Sequence, residues 1–176
     1  KYNVPSIKDF CICTINKCVG QLSNNIGMGF ASGITGIGWA IDYLRYCGFI
    51  DTDTKEICSE LDKRLMLYSV LRMTDLSLER GFEGLLRYVN LHVYNNDSVK
   101  VFDKSFLNEI ISKIERLPGD CSESLNEQAL LFKRLFANER IKLKVSLLPF
   151  VKDIHPNNLT LSYGQAGKLM QMMNCN

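Results

Sequence analysis

Two glutamates and an arginine flank a pair of glycines near the middle of the chain: Glu79, Arg80 and Glu83 lie beside Gly81 and Gly84. Two carboxylates that face one cleft can act as the acid and the base of glycoside hydrolysis. Acidic side chains also stabilise the first turn of a helix through its dipole, and a solvated helix start is the interpretation that we favour. The segment therefore predicts a helix start, with glycosidase chemistry as the alternative.

The glycine pair belongs to a motif that occurs three times, at residues 29–38, 77–86 and 160–169. Each copy has a Gly-x-x-Gly core and a large apolar residue three places before its first glycine. The glycines are Gly33 and Gly36, Gly81 and Gly84, and Gly164 and Gly167. A glycine inside a helix costs about 1 kcal/mol relative to alanine, so such pairs indicate a helix start that approaches another backbone or a ligand closely. The alternative, which we favour for most of these glycines, is ordinary close packing between helices. The motif predicts a helical repeat whose helix N-termini meet around a common centre.

The polar residues beside these glycines are the candidate ligand-binding residues. If the three helix starts meet, their side chains line one mouth, which we interpret as a polar groove for a peptide or another small ligand, without a metal ion or cofactor. These residues are Ser32, Glu79, Arg80, Glu83, Ser162 and Tyr163.

The motifs resemble the lanthionine synthetase C-like (LanC-like) proteins, most strongly at residues 28–50 and 76–94. The resemblance implies an α/α toroid, here partial or shortened, and a role in peptide modification. Cyclases of that family hold zinc with a cysteine in a WCYG segment and with a Cys-His pair. In this chain Ser162 stands where that cysteine would be, and no Cys-His-Gly segment occurs. A hydroxyl does not replace a thiolate as a zinc ligand, so the resemblance implies a relative that lacks the zinc cyclase centre.

Three functions are compatible with these patterns. The first is a LanC-like accessory protein that binds a precursor peptide or a partner modification enzyme, and whether it is itself catalytic stays open. The second is an α/α-toroid glycoside hydrolase that uses Glu79 and Glu83. The third is a structural interaction module whose centre is filled by Phe30, Trp39, Phe82 and Met170. A partial toroid also leaves an open edge, which predicts a partner or a second copy of the chain there.

The composition is typical of one globular domain over residues 1–176, with 46% hydrophobic and 23% charged residues. A net charge of +2 from 21 basic and 19 acidic residues gives no basic patch of the kind that binds nucleic acid. No apolar run reaches the roughly 18 residues that a membrane span requires. Seven cysteines at scattered positions predict reduced thiols in the cytoplasm, although a signal segment removed before residue 1 stays open.

Apolar residues recur at helical spacing along the chain and no alternating strand pattern occurs, so the predicted fold class is all-α. We expect outer helices at residues 5–20, from 53 and from about 102, repeat helices near 31, 77 and 160, and further helix between 122 and 150. On the second repeat helix, His92 is expected to be a satisfied or surface imidazole.

Overall fold

The computed structural model describes residues 26–145 together with Cys13, Ile15, Lys17 and Gly20. Over these residues it contains five α-helices with defined bounds and two short 3-10 turns, Val70–Arg72 and Val99–Val101, and no β-strand. The helices are α1 (Ile34–Tyr46), α2 (Thr54–Met66), α3 (Phe82–Asn96), α4 (Lys104–Glu115) and α5 (Glu123–Phe136). The all-α prediction is confirmed for this part of the chain, whereas the third glycine motif lies outside the described residues. Among the described helices, none is both long and apolar enough to cross a membrane.

Side-chain caps fix the starts of two helices. The Asp53 carboxylate accepts a hydrogen bond from Lys55 N at 2.9 Å before α2, and Ser122 Oγ accepts one from Leu125 N at 3.1 Å before α5. Such caps stabilise a helix by about 1 kcal/mol each. The helix predicted from residue 53 is confirmed.

The two described glycine motifs fold in the same way. The first glycine of each motif has an extended backbone and stands directly before α1 or α3. The first helical N–H then bonds back to a carbonyl seven residues earlier, Ile34 N to Gly27 O at 2.9 Å and Phe82 N to Asp75 O at 3.0 Å. The repeat helices begin a few residues later than predicted because this loop occupies the positions before them.

The two loops lie against each other. Ala31 N donates a hydrogen bond to Glu79 O at 2.9 Å, and a Cβ atom on Gly29 would lie 3.2 Å from the same oxygen. Further along, a Cβ atom on Gly84 would overlap the Cβ atom of Phe30. The starts of α1 and α3 therefore meet, which is the described part of the predicted meeting of three helix starts.

Helix α3 lies between α1 and α5 and packs against both of them. Helix α2 packs against α1 and α3, and α4 packs against the Val70–Arg72 turn. Phe30, Trp39 and Phe82 are buried in the apolar core, as the structural-module hypothesis expects, whereas Met170 lies outside the described residues. Because α3 contacts three other helices, its polar side chains are the ones that the fold brings together with distant parts of the chain.

Candidate functional site

Three of the predicted groove residues, Ser32, Glu79 and Arg80, lie exposed in the loops that precede α1 and α3. Because the two loops touch, these residues share one end of the helix pair. Ser162 and Tyr163 lie outside the described residues. The structure therefore describes only the part of the predicted groove that the first two motifs form.

Glu83 is buried in the first turn of α3 and interacts with α5. Its Oε1 accepts hydrogen bonds from Ser124 Oγ at 2.6 Å and from Arg87 Nη2 and Nε at 3.1 and 3.3 Å. Arg87 Nη2 also donates to Ser124 Oγ at 2.7 Å. Glu83 Oε1 already accepts three hydrogen bonds. The geometry therefore favours a role for Glu83 in anchoring Arg87 over a role as the acid or base of hydrolysis.

Replacing Ser124 by alanine is expected to lower the free energy of unfolding by about 1–2 kcal/mol, because a buried carboxylate loses one of its donors. Urea denaturation followed by circular dichroism measures the change. Ser105→Ala, at an exposed position of α4, is the matched control and should stay within about 0.5 kcal/mol of the unaltered protein. A Ser124→Ala protein as stable as this control would show that the α3–α5 contact does not depend on the bond.

A cavity of about 170 Å³ lies between α1, α3 and α5 next to this ion pair. Trp39 and Leu131 contribute apolar surface to its wall. Arg87, Asn90 and Gln128 contribute polar atoms. The wall therefore offers both hydrogen bonds and apolar contact to a small group.

Asn90 lines this cavity and has an acceptor without a described partner. The residue is only 1% exposed, and its Nδ2 donates to Gln128 O and to Gln128 Oε1, each at 3.0 Å. Asn90 Oδ1 has no hydrogen-bond partner among the described residues. A buried acceptor without a donor costs about 1–3 kcal/mol. This oxygen is closed to solvent, so its cost falls on the packing around Asn90.

A second polar cluster is buried on the other side of α3, where α1, α2 and α3 meet. His92 lies at its centre, with Nδ1 2.6 Å from Asp42 Oδ2 and Nε2 3.2 Å from Asp62 Oδ2. Asn95 Nδ2 donates to Asp42 Oδ1 at 3.0 Å, and the Tyr88 hydroxyl donates to Asp62 Oδ1 at 2.5 Å. Each carboxylate oxygen of the cluster thus faces a polar atom of α3.

The buried surroundings shift the pKa values of this cluster. Burial alone would lower the pKa of His92, but the hydrogen bonds and charges of Asp42 and Asp62 outweigh it and raise the pKa to about 9. Burial is the main cause that holds the pKa of the Cys58 thiol well above its usual value, and the charges of the same two carboxylates add to the effect. Asp42 and Asp62 therefore favour the protonated form of the His92 imidazole, and burial favours the neutral form of the Cys58 thiol.

The sequence indicated this cluster only in part. His92 is buried, so the surface alternative is wrong, and its ring lies between Asp42 and Asp62. Its partners Asp42 and Asp62 were not predicted, although Asp42 interrupts the apolar run of α1. Cys58 precedes Asp62 by four positions, and Tyr88 precedes His92 by four, so each pair shares a helix face. Those two spacings are the signal that could have found the cluster.

Two polar sites are thus available, and they differ in access. The cavity at Asn90 has room for a ligand group, whereas the side chains around His92 are enclosed by three helices. Comparison of this chain with described protein families, with curated proteins and with solved structures gave no match.

Proposed function

We propose that the chain is a peptide-binding module of the LanC-like type that serves as an accessory protein in peptide modification. Two observations support this kinship. The two described glycine motifs share one loop geometry, and the helices that follow them, α1 and α3, pack side by side. An arc of helical hairpins with α1, α3 and α5 along its inner side, a partial α/α toroid, accounts for this packing.

The sequence does not supply the zinc centre of LanC cyclases. Ser162 stands where their zinc cysteine would be, and a hydroxyl is not a group that zinc sites draw on. The proposed activity is therefore peptide binding rather than zinc-dependent cyclisation.

The observation that carries the proposal is the cavity of about 170 Å³, whose wall combines the polar side chains of Arg87, Asn90 and Gln128 with apolar surface. A peptide presents an N–H donor and a C=O acceptor at almost every residue, and polar side chains of this wall can pair with such groups. Asn90 belongs to this wall. The amide is already oriented by its two hydrogen bonds to Gln128. Binding therefore orders few additional protein groups, which favours affinity.

The remaining wall suits a peptide better than a sugar. Trp39 and Leu131 offer apolar surface to a side chain, and Arg87 is fixed by Glu83 at the edge of the cavity. A cavity of about 170 Å³ is smaller than the roughly 300–1,000 Å³ that enclose a drug-sized ligand. It therefore suits one side chain or one peptide unit of a longer chain that continues outside.

Asn90→Leu is expected to weaken peptide binding roughly tenfold or more, because it removes the amide and fills part of the cavity. A displayed library of short random peptides is selected on immobilised full-length protein. Isothermal titration calorimetry then measures the affinity of the enriched peptides for the unaltered and the altered protein.

Asn108→Leu is the matched control, because it makes the same chemical change at an exposed position of α4. It is expected to bind the selected peptides as the unaltered protein does, and circular dichroism confirms that each variant keeps its helices. A library from which no peptide is enriched would contradict the proposal. Peptides that bind Asn90→Leu with unchanged affinity would also contradict it.

A further inference from the structure

An extended segment, residues 140–145, follows α5, and the exposure of its side chains alternates. A period of two is the pattern of an extended chain, whose successive side chains point to opposite faces. The segment therefore presents a row of three cations on the face that is turned away from the core. The partly buried apolar residues are Ile141, Leu143 and Val145, and the exposed basic residues are Arg140, Lys142 and Lys144.

The backbone of this segment is available for pairing. Tyr46, the last residue of α1, donates a hydrogen bond from its hydroxyl to Leu143 O at 2.8 Å, which holds the segment against the helices. No other hydrogen bond joins the backbone of residues 140–145 to the part of the chain that the structure describes. An extended chain with free N–H and C=O groups is a template for a further strand. Addition of an extended peptide to such an edge is a recurring mode of peptide recognition.

The three basic side chains of the segment make no ion pair with any described residue, although Arg134 and Glu139 just before the segment pair at 2.7 Å. Basic residues at every second position of an extended chain recur at intervals of about 7 Å. Acidic residues at every second position of another extended chain recur at the same interval. Charge complementarity therefore selects an acidic peptide in the extended conformation.

The same row of charges disfavours a second copy of the segment as the occupant. Side chains directly opposite each other in paired strands lie about 4.5–5.5 Å apart, and like charges at that distance are destabilising. Two copies would bring two basic rows together. The edge therefore favours a partner of opposite charge.

We propose that an extended acidic peptide pairs edge to edge with residues 140–145, its acidic side chains lying at alternate positions beside Arg140, Lys142 and Lys144. The intervening side chains of the peptide then face the protein. On that side Leu143 and Val145 belong to the wall of the cavity at Asn90, so apolar side chains suit the intervening positions. The inference rests on the proposed function, because it names the class of peptide that is bound and the edge along which the peptide continues outside the cavity.

A fluorescein-labelled peptide in which glutamate alternates with valine tests this inference by fluorescence anisotropy on the full-length protein. The peptide is expected to bind, and its affinity is expected to fall between roughly 50 and 500 mM salt because salt screens exposed charges. A peptide of the same composition with its glutamates grouped together is expected to bind more weakly. A peptide with lysine in place of glutamate is not expected to bind.

Methylation of the peptide backbone tests the strand pairing separately from the charge. Alternate N–H groups of an extended chain point to the same edge, so each of two peptides carries methyl groups on one of the two alternating sets of nitrogens. One of these peptides is expected to lose binding and the other to keep it. Two methylated peptides that both bind as well as the parent would overturn the proposed pairing.

The double variant Lys142→Glu, Lys144→Glu is expected to weaken binding of the acidic peptide roughly tenfold or more, because each change replaces an attraction by a repulsion. Both side chains are exposed, and circular dichroism confirms that the variant keeps its helices. Lys104→Glu, which reverses an exposed charge at the start of α4, is the matched control and is expected to bind as the unaltered protein does.

The variant Asn90→Leu separates this inference from the proposed cavity. Peptides that lose affinity in Asn90→Leu and keep it in the double variant would overturn the inference and leave the cavity in place. An acidic peptide whose binding depends on Lys142 and Lys144 but not on Asn90 would support the inference and contradict the cavity as the binding site. A single-stranded oligonucleotide of equal charge that competes as well as the unlabelled peptide would overturn the inference, because the row of cations would then bind any polyanion.

Discussion

Asp42→Ala is expected to lower the free energy of unfolding by about 3–5 kcal/mol, because it removes one of the two carboxylates that hold the buried imidazole of His92. Asp42 is fully buried, lies 2.6 Å from His92 Nδ1 and also accepts a hydrogen bond from Asn95. The loss is expected because the ring loses its orienting partner. Urea denaturation followed by circular dichroism measures it.

Two further variants separate charge from packing. Asp42→Asn keeps the shape of the side chain and loses its charge, so we expect a smaller loss than for Asp42→Ala. Asp120→Ala changes an exposed aspartate in the turn before α5 and should stay within about 0.5 kcal/mol of the unaltered protein. If Asp42→Ala proved no less stable than Asp120→Ala, the cluster would make no contribution to the fold.

The two polar sites lie on different faces of α3. Tyr88 and His92 are four positions apart and contact residues of α1 and α2, whereas Arg87 and Asn90 are three apart and contact α5. Residues three or four apart share a helix face, and residues two apart do not. A change at Asn90 therefore tests the peptide cavity without altering the environment of His92.

The glycine spacing predicted where α1 and α3 approach each other, because a glycine in a helix is costly unless a close contact requires it. It did not predict which way the nearby side chains turn. Glu83 was assigned to the exposed mouth, but Arg87 and Ser124 hold it in the contact between α3 and α5. The four-residue spacing of Glu83 and Arg87 is visible in the sequence, whereas the position of Ser124 depends on how α5 packs.

The cluster around His92 could not be assembled from the sequence, because its members come from three helices. The sequence does show an aspartate, Asp42, within the apolar part of α1, and a buried carboxylate without a partner would be strongly destabilising. This pattern predicts that Asp42 has a polar partner, but it does not identify the partner. The choice of His92 and Asp62 follows from the packing of α2 and α3, which no local pattern encodes.

Gly81→Ala is expected to lower the free energy of unfolding by about 2–4 kcal/mol, the combined cost of an overpacked contact and a lost backbone hydrogen bond. A Cβ atom at this position would overlap Asp75 O and lie 2.6 Å from Ser77 N. Both are backbone atoms and cannot rotate away, so the loop has to open. The 3.0 Å bond from Phe82 N to Asp75 O is then lost. Urea denaturation measures the change.

Gly119→Ala is the control for this substitution, because a Cβ atom there has no atom within 4 Å. It is expected to change the stability by less than about 0.5 kcal/mol. Gly33 holds the equivalent place in the first motif, where a Cβ atom would overlap the carbonyl oxygen of Gly27 and lie 2.6 Å from Gly29 N. Gly33→Ala should therefore cost about as much as Gly81→Ala. A chain that tolerates one of these changes and not the other would show that the two loops contribute differently to stability and are not equivalent parts of a repeat.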